Sequence, residues 1–444
     1  MQSLPVVFSF DDMIASLRRA MNRFPDPRTG KNTQYEIMDA ASGAFSVFFT
    51  QCPSFLAHQE LMEQRYGLSN AKTLFGMQKI PSDNHIRNLL DTTPPKLLSP
   101  VFIDCFTAMQ KSGDLDKFRV PLGKNNNDLL VALDGTTYQT SGDIHCSNCS
   151  KKIRDGETMY AHSVVTPTIV APGVNKVISL MPEFITPQDG DKKQDCELKA
   201  SKRWLKSNTL DEITILGDDL YAHEPFCKSL LDQHNFIFVC KPESHKTVYE
   251  WVNGITKEKV EDRFDGKTHQ IYTYKYAEGV PLRDSKDKKD EVLLINFVEV
   301  TVKDRKTGKQ LYHIAFITNH ALTDKTLPIL IDCGRARWKI ENENNNTLKR
   351  LGYNLEHNFG HGKKYLASIL ATMNILAFLF HTMLEFMNKK YQLLRKVFGA
   401  RKTFFNHIRT LLVFHPYKSF ASLMDFMIEG LKKPFPIEEL RYPL

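Results

Sequence analysis

The chain has 444 residues, 42% hydrophobic and 25% charged, which excludes a disordered polymer and leaves room for two or three domains with sizeable cores. Its formal net charge of +8 favours an anionic partner such as nucleic acid without requiring one. Eight cysteines scattered over this length are no disulfide framework, so a reducing cytosol is the expected compartment.

The N-terminal stretch "MQSLPVVFSFDDMIASLRRAMNRF" places acids directly after a short apolar patch and has no small-residue cleavage site, so no secretory signal is expected. Helices follow. "DDMIASLRRAMNRF" and "PSFLAHQELMEQRYG" carry apolar residues at three-to-four spacing, and "IPSDNHIRNLLD" is a turn into a helix with Ser82 or Asp83 as N-cap. A plain helical bundle and a DNA-contacting domain both fit this pattern.

After the polar linker "GKNNND" the style changes. "LLVALDGTTYQ" reads as a buried strand, and "YAHSVVTPTIVAPGVNKVISLMPEFI" as further strands with a turn near Pro172 and Gly173. "ASKRWLKSN" reads as helix, "EITILGDDLYAHEPFCKSLLDQH" as strand, loop and helix, and "NFIFVCKP" as another strand. The alternation predicts an α/β core.

From about 245 to 320 the chain is polar and β-rich. "VLLINFVEVTV", the turn "KDRKTGKQ" and "LYHIAFITN" predict a hairpin, and "RDSKDKKDE" a solvated loop. "TLPILIDCGRARWKIENENNNTLKRLG" predicts one long helix, with Pro328 in its first turn and Gly352 at its end. "YLASILATMNILAFLFHTML" has the length of a membrane span, but it contains Ser368, Thr372, Asn374, His381 and Thr382, so a buried core helix is expected. A basic helical region closes the chain.

The acids at strand ends carry the chemistry. Asp134 closes the run "LLVALD", and Asp218 and Asp219 follow "ITILG". A carboxylate at the tip of a buried strand sits on a rigid scaffold at the edge where α/β proteins place their sites. Two such aspartates with one glutamate from a helix make an oxygen-rich pocket suited to Mg²⁺ and to phosphodiester chemistry. In the helix "GRARWKIENENNNTLKRLGY", Glu341 and Glu343 are two apart and point to nearly opposite sides at about 100° per residue. Each has a basic neighbour four residues earlier, Arg337 or Lys339, so geometry leaves the choice open.

In "ALDGT", "ILGDDLYA" and "RARWKIEN", in this order and with a β-rich stretch before the last, the sequence resembles the DDE transposases of bacterial insertion sequences. The resemblance covers about 125 to 385. It implies an α/β fold with a ribonuclease H-like mixed-sheet core and a β-rich insertion, preceded by a helical domain and followed by C-terminal helices. The expected organisation is 1–125 helical and DNA-contacting, 126–243 the first part of the core, 244–322 the insertion, 323–387 the helical completion of the core, and 388–444 a basic helical region.

Residue by residue, the resemblance makes Asp134, Asp218 and Glu341 the catalytic, metal-binding acids; Tyr221 stands three after Asp218, where the family has a tyrosine. Arg337, Trp338, Lys339 and Lys349 become DNA-binding candidates, although core packing is the plainer expectation for Trp338. Gly334 stands where the family's helix signature has a tyrosine, Lys349 lies one residue later than the signature places its lysine, and Asn344–Asn346 replaces an apolar or aromatic position. The implied activity is hydrolysis at transposon ends and joining of the freed 3′-hydroxyl to target DNA. It implies Mg²⁺ or Mn²⁺ as cofactor, double-stranded DNA (terminal inverted repeats and target) as partner, a homodimer on DNA, no membrane, and a bacterial cytoplasm with the nucleoid as binding place. The alternative is a catalytically decayed or domesticated DNA-binding protein on the same core.

A separate cluster offers metal ligands. "DIHCSNCSKK" supplies His145, Cys146 and Cys149, and "MYAHS" supplies His162. Cys146, Cys149 and His162 are candidates for structural Zn²⁺, with His145 or Cys196 as the fourth ligand; two free cysteines in a turn is the other reading. His357 and His361 stand four apart in "EHNFGHGKK", but the glycines there predict a loop and not a helical metal pair.

Overall fold

The run Asp128–Ala132 is buried at every position, as its unbroken apolar pattern requires of a central strand. It lies inside a ten-stranded mixed sheet. The computed structural model describes residues 8–30, 34–154, 156–187, 195–264, 266–285 and 291–432. Its secondary structure is mixed α/β, and it forms two compact units. One comprises Met1–Leu115, Thr137–His162 and Asn346–Leu444, and the other Asp116–Thr136 and Ser163–Asn345.

The second unit holds the ten-stranded sheet. Arg119–Val120 aside, its first five strands in chain order are Asp128–Ala132, Thr168–Val170, Ile178–Ser179, Ile213–Gly217 and Asn235–Val239; in space they run third, second, first, fourth, fifth. The first three are antiparallel neighbours, with Leu130 opposite Val170 and Thr168 opposite Ser179. The fourth lies parallel to the first, Ala132 opposite Leu216, and the fifth parallel to the fourth. Arg119–Val120 pairs with the start of the first.

Four antiparallel strands, Lys257–Phe264, His269–Pro281, Leu294–Asp304 and Gln310–Thr318, then extend the sheet from the Asn235–Val239 edge. The hairpin predicted at "VLLINFVEVTV" and "LYHIAFITN" is the last two of these, with Val298 opposite Phe316. Most of the expected loop "RDSKDKKDE" lies outside the described residues.

The chain after this sheet is not the single α-helix that its sequence predicts. Thr326–Arg335 is α-helical, Ala336–Trp338 is a 3₁₀ turn, Ile340–Asn345 is a π-helix, and Asn346–Arg350 returns to α. The signature's tyrosine position is glycine for a local reason. A Cβ on Gly334 would stand 2.7 Å from the ring of Phe316, so a side chain there would push the helix off the sheet.

The first unit is helical, apart from a small sheet in which Glu157–Val165 lies between Gly135–Ser141 and Ser150–Arg154, with residues 137–162 belonging to this unit. Helices Ile37–Phe49 and Leu366–Met387 pack together at its centre. Leu366–Met387 is long and apolar enough to cross a membrane by length and composition, but nearly all of it is buried inside the protein. Its polar residues have internal partners: Asn374 donates to the Tyr353 carbonyl at 2.7 Å, and Tyr353 Oη lies 2.6 Å from His381 Nδ1. Ser82 takes the N-cap position of the helix Asp83–Leu90, and its hydroxyl turns to His85.

Candidate functional site

Asp134 and Asp218 stand at the same level of the sheet. Ala132 is opposite Leu216 in the parallel ladder, and each aspartate follows its paired residue by two positions at the C-terminal end of its strand. Both side chains are half-buried. Asp218 also accepts the Leu220 amide at 2.9 Å, which fixes its carboxylate at the start of a short turn. Asp219 faces elsewhere, accepting the Lys241 amide at 2.8 Å and lying 3.2 Å from His245 Nε2.

A third carboxylate, which the sequence reading missed, is Glu197 at the start of helix Glu197–Ser207. Two glycines and a tyrosine create its place. Gly135 donates its amide to Glu197, and a Cβ on Gly135 would overlap that carboxylate. Tyr221 is fully buried and donates to Glu197 Oε1 at 2.7 Å, with its oxygen 3.1 Å from Ser201 Oγ. Tyr221 in turn fits because residue 217 is glycine: a Cβ there would stand 2.7 Å from its ring. The short motifs "DGT" and "GDDLY" are thus two sides of one cradle around Glu197.

The fourth carboxylate, Glu341, lies in the π-helix and pairs with Arg337 at 2.8 Å. Burial first, and then the charges of Glu197, Glu341 and Asp218, push the Asp134 carboxyl up to about 7, against the opposing pull of Arg337. Glu197 is likewise raised, by burial first and then by Asp218 against the hydrogen bond from Tyr221. The neighbourhood therefore carries negative charge in excess of its one guanidinium.

Asn345 supports Asp134 directly, and Asn344 supports Asn345. Asn345 Nδ2 donates to Asp134 Oδ2 at 2.7 Å, and its Oδ1 accepts from Thr166 Oγ1 at 2.9 Å. Asn344 Nδ2 donates to Asn345 Oδ1 at 3.0 Å, and Asn344 Oδ1 accepts from Ser179 at 2.8 Å. Both are buried, so each amide must find partners inside the protein. Two consecutive inward-facing amides are hard to place on an α-turn, and the wider π-turn accommodates them.

The remaining candidates fall as follows. Trp338 is not core: it is 57% exposed, while Ala336 and Ile340 on either side of it are buried. Lys339 donates to the Val174 carbonyl and has Glu343 as its charged neighbour, with burial holding its pKa below the usual lysine value. Lys349 belongs to the first unit, where it pairs with Glu356 at 2.8 Å. Cys146, Cys149 and His162 come together, also in the first unit, but with His361 as the fourth member. His145 stacks on Tyr160 instead, and Cys196 is exposed in the other unit. Among the described residues, this Cys/His group is the set whose ligand atoms lie within 4.8 Å of one another; the carboxylates around Asp134 are spread more widely.

Comparison of the chain with protein-family models and with curated proteins finds no match.

Proposed function

We propose that the protein is a DNA transposase whose second unit cuts phosphodiester bonds at the ends of its element and joins the freed 3′ ends to target DNA. One observation carries the reading: Asp134 and Asp218 stand level on adjacent parallel strands, while Glu341, from a helix that follows a four-stranded extension of the sheet, acts electrostatically on Asp134. Three antiparallel strands continued by two parallel ones support a ribonuclease H-like reading of the core.

The donor set is all carboxylate and over-negative, which fits a hard divalent cation such as Mg²⁺ or Mn²⁺ held by Asp134, Asp218 and Glu341. Such a cation, when bound, supplies positive charge to the attacking and leaving oxygens of a phosphodiester. The chain's own residues do the rest. Asn345 fixes the rotamer of Asp134, Gly135 and Tyr221 fix Glu197, and Arg337 offers a guanidinium for a phosphate beside the acids. Exposed Trp338 offers a face for base stacking. Double-stranded DNA as partner agrees with the net charge of +8, and a homodimer on two element ends, in a bacterial cytoplasm, is part of the same reading.

The alternative, a non-catalytic DNA-binding protein on a decayed core, leaned on the asparagine run and on Gly334. Asn345 supports Asp134 and Gly334 makes room for Phe316, so neither speaks for decay. The test uses duplexes taken from the DNA flanking the gene, where short inverted repeats are expected. Asp134→Ala, Asp218→Ala and Glu341→Ala each lose metal-dependent cleavage by roughly 10³-fold or more while retaining the duplex in a gel-shift assay. Undiminished cleavage by any of the three sinks the proposal.

A further inference from the structure

The Cys/His group in the first unit has the shape of a metal site. Cys146 and Cys149 come from the loop between strands Gly135–Ser141 and Ser150–Arg154, His162 from strand Glu157–Val165, and His361 from the loop before helix Leu366–Met387. The two sulfurs are 3.9 Å apart. His162 Nε2 is 3.6 Å from Cys146 Sγ and 3.4 Å from Cys149 Sγ. His361 Nε2 is 3.3 Å from Cys149 Sγ and 3.2 Å from His162 Nε2.

A tetrahedral Zn²⁺ holds sulfur at about 2.3 Å and nitrogen at about 2.0–2.1 Å. The edges of that tetrahedron are about 3.8 Å between sulfurs, about 3.6 Å from sulfur to nitrogen and about 3.3 Å between nitrogens. The five separations above follow these edges within a few tenths of an ångström, in the right order by atom type.

Two independent features point the same way. His361 Nδ1 lies 2.8 Å from the Gly362 carbonyl, which can only accept; Nδ1 therefore carries the hydrogen, and Nε2 presents its lone pair to the cluster. The loop that carries His361 is also shaped in advance. Asp91 Oδ1 accepts the amides of Lys363, Lys364 and Leu366 at 3.1, 3.0 and 3.1 Å, and Asn148 donates to the Lys364 carbonyl at 2.6 Å. Gly362, at φ +65°, passes so close to Asp91 that a side chain there would overlap the carboxylate.

We propose that Cys146, Cys149, His162 and His361 bind one Zn²⁺ as a closed structural site. Four protein ligands leave no position for water or substrate, so the ion's work is to join two segments: Cys149 and His361 are 212 positions apart in the chain. The zinc site stands independently of the transposase reading.

The full chain, purified without chelators and dialysed, is assayed for metal by mass spectrometry and then exchanged into Co²⁺. About one zinc per chain is expected, as are the visible bands and sulfur-to-metal charge transfer of tetrahedral cobalt with two thiolates. Cys149→Ser and His361→Gln should drop the zinc content to background, and His357→Gln, in the same loop but outside the cluster, should leave it at about one. A folded wild-type chain without stoichiometric zinc and without the cobalt bands overturns the proposal, leaving a hydrogen-bonded thiol and imidazole cluster. The wild-type spectrum decides even where a variant fails to fold.

Discussion

Asn345 holds Asp134 by a 2.7 Å hydrogen bond that spans 211 positions of sequence and links the π-helix to the end of the first central strand. Asn345→Leu keeps the volume and removes the donor. On the proposed function, the expected result is a fall of about 10–100-fold in metal-dependent cleavage, the scale on which outer partners of metal ligands act, with duplex binding unchanged. Urea unfolding should show a loss of about 1–3 kcal/mol for the buried groups left unpaired. Full activity in Asn345→Leu would mean that Asp134 needs no such support.

Glu197 is the strongest charged influence on Asp134 after burial itself. Replacing it with glutamine removes a negative neighbour and makes ionisation of Asp134 easier, so the Asp134 carboxyl should titrate below its present value of about 7. Carbon NMR of carboxyl-labelled aspartate in metal-free buffer reads this directly. An unmoved titration would show that Glu197 adds nothing to the effect of burial, Glu341 and Asp218.

Trp338 separates packing from binding. Because it is 57% exposed, Trp338→Ala should change unfolding stability by no more than about 0.5 kcal/mol, where a core tryptophan would cost about 3–5. If its face stacks on a base, the same variant loses about 1–3 kcal/mol of affinity for DNA, measured by fluorescence anisotropy at fixed salt. A variant that is destabilised but binds normally would reverse both statements.

His58 makes the helical unit acid-sensitive. It is fully buried beside Ser46, its Nε2 2.8 Å from the hydroxyl, and burial lowers its pKa to about 3. The unfolded chain takes up a proton near pH 6.5 and the folded chain does not until near 3, so stability is lost as pH falls between those values. From pH 7 to pH 5 the loss from this residue alone is about 2 kcal/mol. A His58→Asn variant should show a correspondingly flatter dependence of urea midpoint on pH; an equal slope in both proteins would remove His58 as the cause.

The strand-end aspartates were legible because a buried strand announces itself by an unbroken apolar run, and an acid closing that run has few places to go. Glu341 was legible only through resemblance. Its spacing from Glu343 is ambiguous on an α-helix, and nothing in "KIENENNN" signals a π-turn, which takes one more residue than an α-turn. Glu197 had no local mark, since its cradle is built from Gly135 and Tyr221, on other elements. His361 was passed over for the same reason: glycines that forbid a helix do not forbid a loop from carrying a ligand to cysteines 212 positions away. For Trp338 the sequence allows base stacking or core packing, with core packing the plainer expectation, and the residue is exposed.

The side chain of Asn70 donates to the carbonyls of Leu412 and His415 at 2.6 and 2.8 Å, and its own carbonyl accepts the Tyr417 amide at 2.8 Å. These bonds lie inside the unit whose pieces come from both ends of the chain. During synthesis, both pieces of the sheet-bearing unit, 116–136 and 163–345, are made while Asn70 and the apolar helix Ile37–Phe49 still wait for partners later in the chain. The helical unit closes only once the chain has been made through Tyr417, and until Leu366–Met387 exists the apolar helix Ile37–Phe49 lacks the helix it packs against.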